Sequence, residues 1–124
     1  GEAPGDAPVY LADTLGEMAL WYAAAGTCFV GGSLVPKGGH TPWEPAAFGC
    51  AILTGPDIAN AATAYARLAA ADAVITVADT AALGDALAGL DAGTQVALGA
   101  RARAALPEGD ARALAAELED ALRP

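Results

Sequence analysis

Four short apolar runs, at positions 9–11, 28–30, 51–54 and 74–77, each stop at turn-forming residues and then lead into a stretch with helical spacing. Strand followed by helix, repeated, requires crossover connections, and crossover connections make neighbouring strands parallel. The runs are continuously apolar rather than alternating, the pattern of strands covered on both faces. Composition fits: 35 of the 68 apolar residues are alanine, leaving 33 larger apolar side chains for one core. Small side chains let helices lie close on a small sheet. The expected fold is therefore α/β, a Rossmann-like parallel sheet flanked by helices, and 124 residues allow one such domain and no more.

Residues 1–8 are Gly, Pro and acidic, and read as a flexible lead-in. The βα repeats are expected over 9–92, and 93–124 as closing helices of the same domain. Within the repeats, 15–25 is expected as a helix with Leu15, Met18, Ala19 and Tyr22 on one face and Asp13 or Thr14 as its cap. The segment 31–45 carries four glycines and three prolines, too long and too biased for a plain turn. Pro45 and Gly49 bracket a short helix. Residues 58–71 and 80–90 follow as helices, the second capped by Asp79 or Thr80. The tail should give helices at 93–106 and 111–122, the latter with Leu114, Leu118 and Leu122 in line.

Fifteen acidic against six basic side chains give a net charge of -9, which lacks the basic stripe that phosphate-backbone binding requires. DNA and RNA are excluded as partners on this ground. No apolar run reaches 18 residues, and the first ten residues have no signal-peptide pattern, so a soluble chain is expected. Cys28 and Cys50, each beside an apolar run, read as buried reduced thiols. With one histidine and no clustered cysteines, no metal site is expected.

In open α/β sheets ligands bind beyond the carboxyl ends of the strands. The turn 14–17, the Gly-rich loop, Gly55-Pro56-Asp57 and Asp79-Thr80 each follow a strand candidate, so four loops should converge on one crevice. Gly31, Gly32 and Ser33, followed by Gly38 and Gly39, offer backbone N–H groups that a phosphate or carboxylate can approach closely, or they simply reverse the chain. The loop matches neither the Walker nor the dinucleotide pattern. Lys37, the one basic residue before Arg67, is either a solvated loop lysine or an anion contact. His40 reads as part of the turn, with no nearby nucleophile to serve. Glu44 suits a helix start, where the dipole favours a carboxylate by roughly 0.3–1 kcal/mol, and it equally suits ribose hydroxyls. Glu17 has the same two readings, and Trp43 either stacks on a base or covers the loop.

The order of these residues adds more than their types. The series VYLADTLGEM (9–18), FVGGSL (29–34), GGHTPWEPA (38–46) and LTGP (53–56) resembles the C-terminal part of the 3-deoxy-D-manno-octulosonic acid (Kdo) transferases. These are GT-B glycosyltransferases that use CMP-Kdo to glycosylate a lipid A precursor in lipopolysaccharide biosynthesis. The resemblance runs from about Val9 to the closing helices, and the tail matches in helical character alone.

The resemblance implies the nucleotide-sugar-binding domain of a GT-B fold, truncated in this chain. CMP contacts would come from Leu15, Gly16 and Glu17 and from Thr41, Pro42, Trp43 and Glu44, with Glu44 the ribose ligand. Gly31, Gly32 and Ser33 would shape the phosphate region, with Lys37, Gly39 and His40 beside them. CMP-Kdo is the donor substrate and no cofactor is implied. The family's catalytic glutamate and a CMP-contacting Pro-Arg pair lie upstream of this sequence. The chain alone is therefore expected to be catalytically silent and to hold an anionic nucleotide weakly. The lipid A precursor and the cytoplasmic face of the bacterial inner membrane would be met through the rest of the enzyme. Two departures stand out: Thr41 replaces the usual Asn after GGH, and Asn60-Ala61 stands where the family often has Asn-Phe. The competing readings are a non-enzymatic interaction domain that uses its alanine-rich helices, and a GT-B donor domain for another nucleotide sugar.

Overall fold

The computed structural model describes residues 18–34, 36–107 and 109. The expected strand at 9–11, the helix at 111–122 and the cap at Asp13 or Thr14 lie outside them. The described elements alternate as α1 (Met18–Ala24), β1 (Thr27–Val30), α2 (Trp43–Ala47), β2 (Ala51–Thr54), a 3-10 turn (Ala59–Ala61), α3 (Ala62–Ala70), β3 (Val74–Thr76), α4 (Thr80–Gly89) and α5 (Ala92–Ala104). The three strands form a parallel sheet in the order β1-β2-β3, with Phe29 opposite Leu53 and Leu53 opposite Ile75. The fold is Rossmann-like α/β, as the apolar runs imply.

The central strand shows why its sequence does not alternate. Ile52 and Leu53 point to opposite faces and are both 0% exposed, so each face of β2 is covered. Each such side chain contributes roughly 1.5–3 kcal/mol by leaving water. Ile52 joins Val30, Ala46, Cys50, Tyr65, Leu68, Ala73, Ala102 and Ala105 in one core cluster. Alanine sets how close the layers lie, and α5 packs along β2 and against α2.

Both cysteines are free thiols. Cys50 is buried and its thiol donates to the carbonyls of Tyr22 (3.3 Å) and Ala25 (3.4 Å), tying α1 to the start of β2. Burial, and then the neighbouring Cys50, push the Cys28 thiol up to about 11. Burial raises Cys50 too. Neither is a thiolate nucleophile near neutral pH; both are free thiols as expected, but only Cys50 is buried, whereas Cys28 is half-buried.

Helix starts follow capping chemistry. Asp79 caps α4 by accepting from the Ala82 N–H at 2.8 Å, one of the two caps expected. Asp91 does the same for α5 through the Thr94 N–H at 2.7 Å, so that helix begins at Ala92 rather than Gly93. The short helix expected from Pro45 begins earlier, at Trp43, with Pro42 as its N-cap residue. The helix expected from Ile58 begins instead as a 3-10 turn, because the Asn60 N–H is drawn to the Gly38 carbonyl at 2.9 Å.

Candidate functional site

In a parallel sheet the segments that leave β1, β2 and β3 all emerge at one edge. Loop 31–42 leaves β1 and folds onto the 55–60 segment that leaves β2. Ser33 is the first fastening. It is 0% exposed, donates its hydroxyl to the Val30 carbonyl (2.8 Å) and accepts from the Gly55 N–H (2.8 Å). The Asp57 N–H donates to the Ser33 carbonyl at 3.0 Å. The approach is so close that Gly55 has room for no side chain, since a Cβ there would meet the Ser33 backbone.

A second fastening lies farther along the loop. Asp57 Oδ2 accepts from the Gly38 N–H at 3.1 Å. Asn60 takes three successive carbonyls: its Nδ2 donates to Lys37 (2.9 Å) and Gly39 (3.4 Å), and its backbone N–H donates to Gly38 (2.9 Å). The Gly39 N–H returns to the Gly32 carbonyl at 3.0 Å. Gly38 and Gly39 have φ of +83° and +73°, which side-chain-bearing residues rarely adopt. Tyr65 on α3, 2% exposed, donates its hydroxyl to the His40 carbonyl at 3.2 Å. Burial raises the Tyr65 hydroxyl, partly offset by its hydrogen bond with Thr54, so it keeps the proton it donates.

These contacts divide the candidate residues. Ser33, Gly38, Gly39 and Pro42 are buried and serve the loop itself. Gly31, Lys37, His40 and Thr41 are exposed along the rim, and Gly32 and Glu44 are half-buried beside it. Trp43 is half-buried and packs against the core cluster, the covering role of its two readings. Glu44 occupies the first turn of α2. Its charge contributes, after burial and Cys28, to pushing the Tyr22 hydroxyl of α1 up to about 12. Leu15, Gly16 and Glu17 lie outside the described residues. The structure therefore brings the Gly31–Ser33 and Thr41–Glu44 groups onto one edge with Asp57. It turns Ser33 and Gly39 inward.

Asp57, Asn60 and Tyr65 were not singled out as functional from the sequence. Gly55-Pro56-Asp57 was expected only to line the edge, and Asn60 appeared only as a departure at its neighbour. The one signal available is Asp and Asn in the segment that leaves a strand, where such side chains satisfy backbone groups of turns.

Electrostatically the rim is sparsely cationic. Arg67 donates Nε to the Ala105 carbonyl, and Arg101 donates Nε to the Asp72 carbonyl at 2.8 Å. Arg103 lines a shallow depression of about 480 Å³ with Gly49, Val96, Ala100 and Ala104, at the end of the sheet where β2 begins and so away from the loops. Lys37 is thus the basic side chain on the strand-end edge among the described residues. Also among them, no group of three or more His, Cys, Asp or Glu residues could hold a metal. None of their helices is long and apolar enough to cross a membrane.

A Rossmann-like α/β domain whose glycine loop is fastened across the strand ends is the class that fold and site define. Within that class the chain is similar to curated 3-deoxy-D-manno-octulosonic acid transferases. It is 41% identical to that of Haemophilus influenzae over 73 residues, 59% of this chain and 17% of the relative. It is 39% identical to that of Bordetella pertussis over 79 residues, 64% of this chain and 18% of the relative. The probable mitochondrial transferase of Arabidopsis thaliana is 43% identical over 53 residues, 42% of this chain and 12% of the relative. Among solved structures, the C-terminal CMP-Kdo binding domain of WaaA from Acinetobacter baumannii matches with a TM-score of 0.60 and 33% identity. That match covers 93% of this chain and 53% of that one. No family model matches. The resemblance read from the ordered motifs is borne out, and the chain spans about a sixth of the length of the curated relatives.

Proposed function

We propose that this chain is the CMP-Kdo-binding portion of a GT-B glycosyltransferase that transfers Kdo from CMP-Kdo to a lipid A precursor in lipopolysaccharide core biosynthesis. The observation that carries the reading is the likeness, over nearly the whole chain, to a CMP-Kdo binding domain, with the motif segments 29–34 and 38–46 of this chain falling on or beside the strand-end rim. Glu44 accepts the ribose hydroxyls. Thr41, Pro42 and Trp43 form the backbone wall beside it, and Leu15, Gly16 and Glu17 complete the nucleotide contacts. Gly31 and Gly32 leave room for the phosphate, with Lys37 and His40 nearby. The donor is a substrate, and no cofactor takes part.

The transfer itself needs a base and an acceptor site, which this reading places elsewhere in the enzyme. The chain alone binds donor and does not turn over. The whole enzyme meets its lipid acceptor at the cytoplasmic face of the inner membrane through its other parts. A non-enzymatic interaction domain is not favoured, because the likeness is to a ligand-binding domain and the rim remains open at Gly31, His40 and Thr41.

The test is Glu44→Ala in the transferase that carries this segment. Loss of hydrogen bonds to a charged acceptor, about 1.5–3 kcal/mol, lowers kcat/KM for CMP-Kdo about 10- to 150-fold with the fold retained. Unchanged kinetics would remove Glu44 from the donor site.

A further inference from the structure

The loop that carries the proposed donor contacts is held by a residue that is not itself on the rim. Asn60 receives the carbonyls of Lys37, Gly38 and Gly39 in succession, from a position beyond β2. A trans peptide directs its C=O and its N–H to opposite sides. Fixing three successive carbonyls therefore fixes the three N–H groups that follow. The first, on Gly38, meets Asp57 Oδ2, and the second, on Gly39, meets the Gly32 carbonyl. The third belongs to His40. With the Gly39 carbonyl held toward Asn60, the His40 N–H faces away from it, and no acceptor among the described residues meets it. The His40 carbonyl, one peptide farther on, is occupied by Tyr65.

We infer that Asn60 is a positioning residue for anion recognition: by holding the Lys37–Gly39 carbonyls it turns the His40 amide N–H toward a phosphate or carboxylate oxygen of the ligand. The inference rests on the proposed donor-binding role and names the group through which an acidic chain meets an anion. A backbone N–H supplies a fixed donor without adding a cation, which suits an edge whose basic side chain, among the described residues, is Lys37 alone. Asn60 is exposed and its bonds are partly solvated. Its removal should therefore leave the fold standing while loosening the loop.

Asn60→Asp and Asn60→Ala separate the side-chain donor from mere space filling, because Asp keeps the shape and sets an acceptor against two carbonyls. CMP affinity of the chain is measured by titration calorimetry, thermal unfolding tests the fold, and amide exchange is followed at Gly39 and His40. The expected result is at least a tenfold loss of CMP affinity in both variants, Asp no better than Ala. The unfolding midpoint should stay within a few degrees, with faster Gly39 exchange. Wild-type CMP affinity in Asn60→Asp would overturn the inference. If the unmutated chain does not bind CMP, the donor-binding role in this chain fails, and Gly39 exchange decides the loop-holding role separately. Faster exchange in Asn60→Asp then upholds it, and unchanged exchange overturns it.

Discussion

Replacing Gly99 by alanine should destabilise this domain by about 2–3 kcal/mol, although alanine is the better helix former by about 1 kcal/mol. Gly99 sits in α5 where that helix crosses the backbone before β2. A Cβ there would collide with the Gly49 carbonyl and approach the Cys50 carbonyl carbon at 3.3 Å. Backbone cannot swing aside as a long side chain can, so α5 must lift from the sheet. Lifting it opens the core at Ala102 and Ala105, which are nearly fully buried beneath the helix. Gly84 in α4 is the internal control. A Cβ there meets nothing within 4 Å, so Gly84→Ala should stabilise by about 1 kcal/mol. Thermal unfolding of the two variants should move in opposite directions, by about 4–8 °C per kcal/mol for a domain near 100 residues. A stabilised Gly99→Ala would contradict the packing of α5 on β2.

Ser33→Ala should cost nearly as much, for a polar reason. The Ser33 hydroxyl is the partner of the buried Gly55 N–H, and alanine leaves that donor without an acceptor in a place water does not reach. Such an orphaned group costs about 1–3 kcal/mol. The same substitution unties loop 31–42 from β2. The urea midpoint should fall with an unchanged slope, and the Gly55 amide should exchange faster than those of Ile52 and Leu53. An unaltered midpoint would mean that the hydroxyl is not the clasp the geometry describes. Asn60 is the outer counterpart of this clasp, solvated where Ser33 is dry. Losing Ser33 should therefore unsettle the fold, whereas losing Asn60 should unsettle recognition.

The sheet was readable because each of its strands is a short apolar run bounded by turn residues, and β2 spans the residues the pattern indicates. The edge where loops gather followed from strand direction alone, and the family resemblance followed from motif order. What could not be read was how the loops hold one another. Ser33 reads in sequence as part of a glycine loop offering backbone N–H groups to an anion, and it becomes a buried fastening only when Gly55 is brought against it from 22 residues away. Asn60 looks like the interior of a helix because Tyr65 and Leu68 supply helical spacing after it. The Gly38 carbonyl instead draws its N–H into a 3-10 turn. Local periodicity cannot anticipate a competitor that arrives through tertiary contact. Trp43 is a related case, since stacking and covering have the same sequence signature until packing against the core is seen.

The net charge of -9 bears on the ligand as well as on the fold. Arg67 and Arg101 are committed to carbonyls at the ends of α5 and α3, so they lend little to an anion at the strand-end rim. On the proposed reading, recognition there relies on oriented amides and, among the described residues, on the Lys37 side chain. Binding of nucleotide by this chain should accordingly be weak, salt-sensitive and local.

The most direct measurement is a backbone NMR map of this chain titrated with CMP to millimolar concentration. The account predicts saturable shifts confined to the rim, at the amides of Gly31, Gly32, His40, Thr41 and Glu44, with those of α4 and the depression by Gly49 unmoved. Shifts centred on α5, or none at the rim at millimolar CMP, would contradict a nucleotide site at the strand ends of this chain.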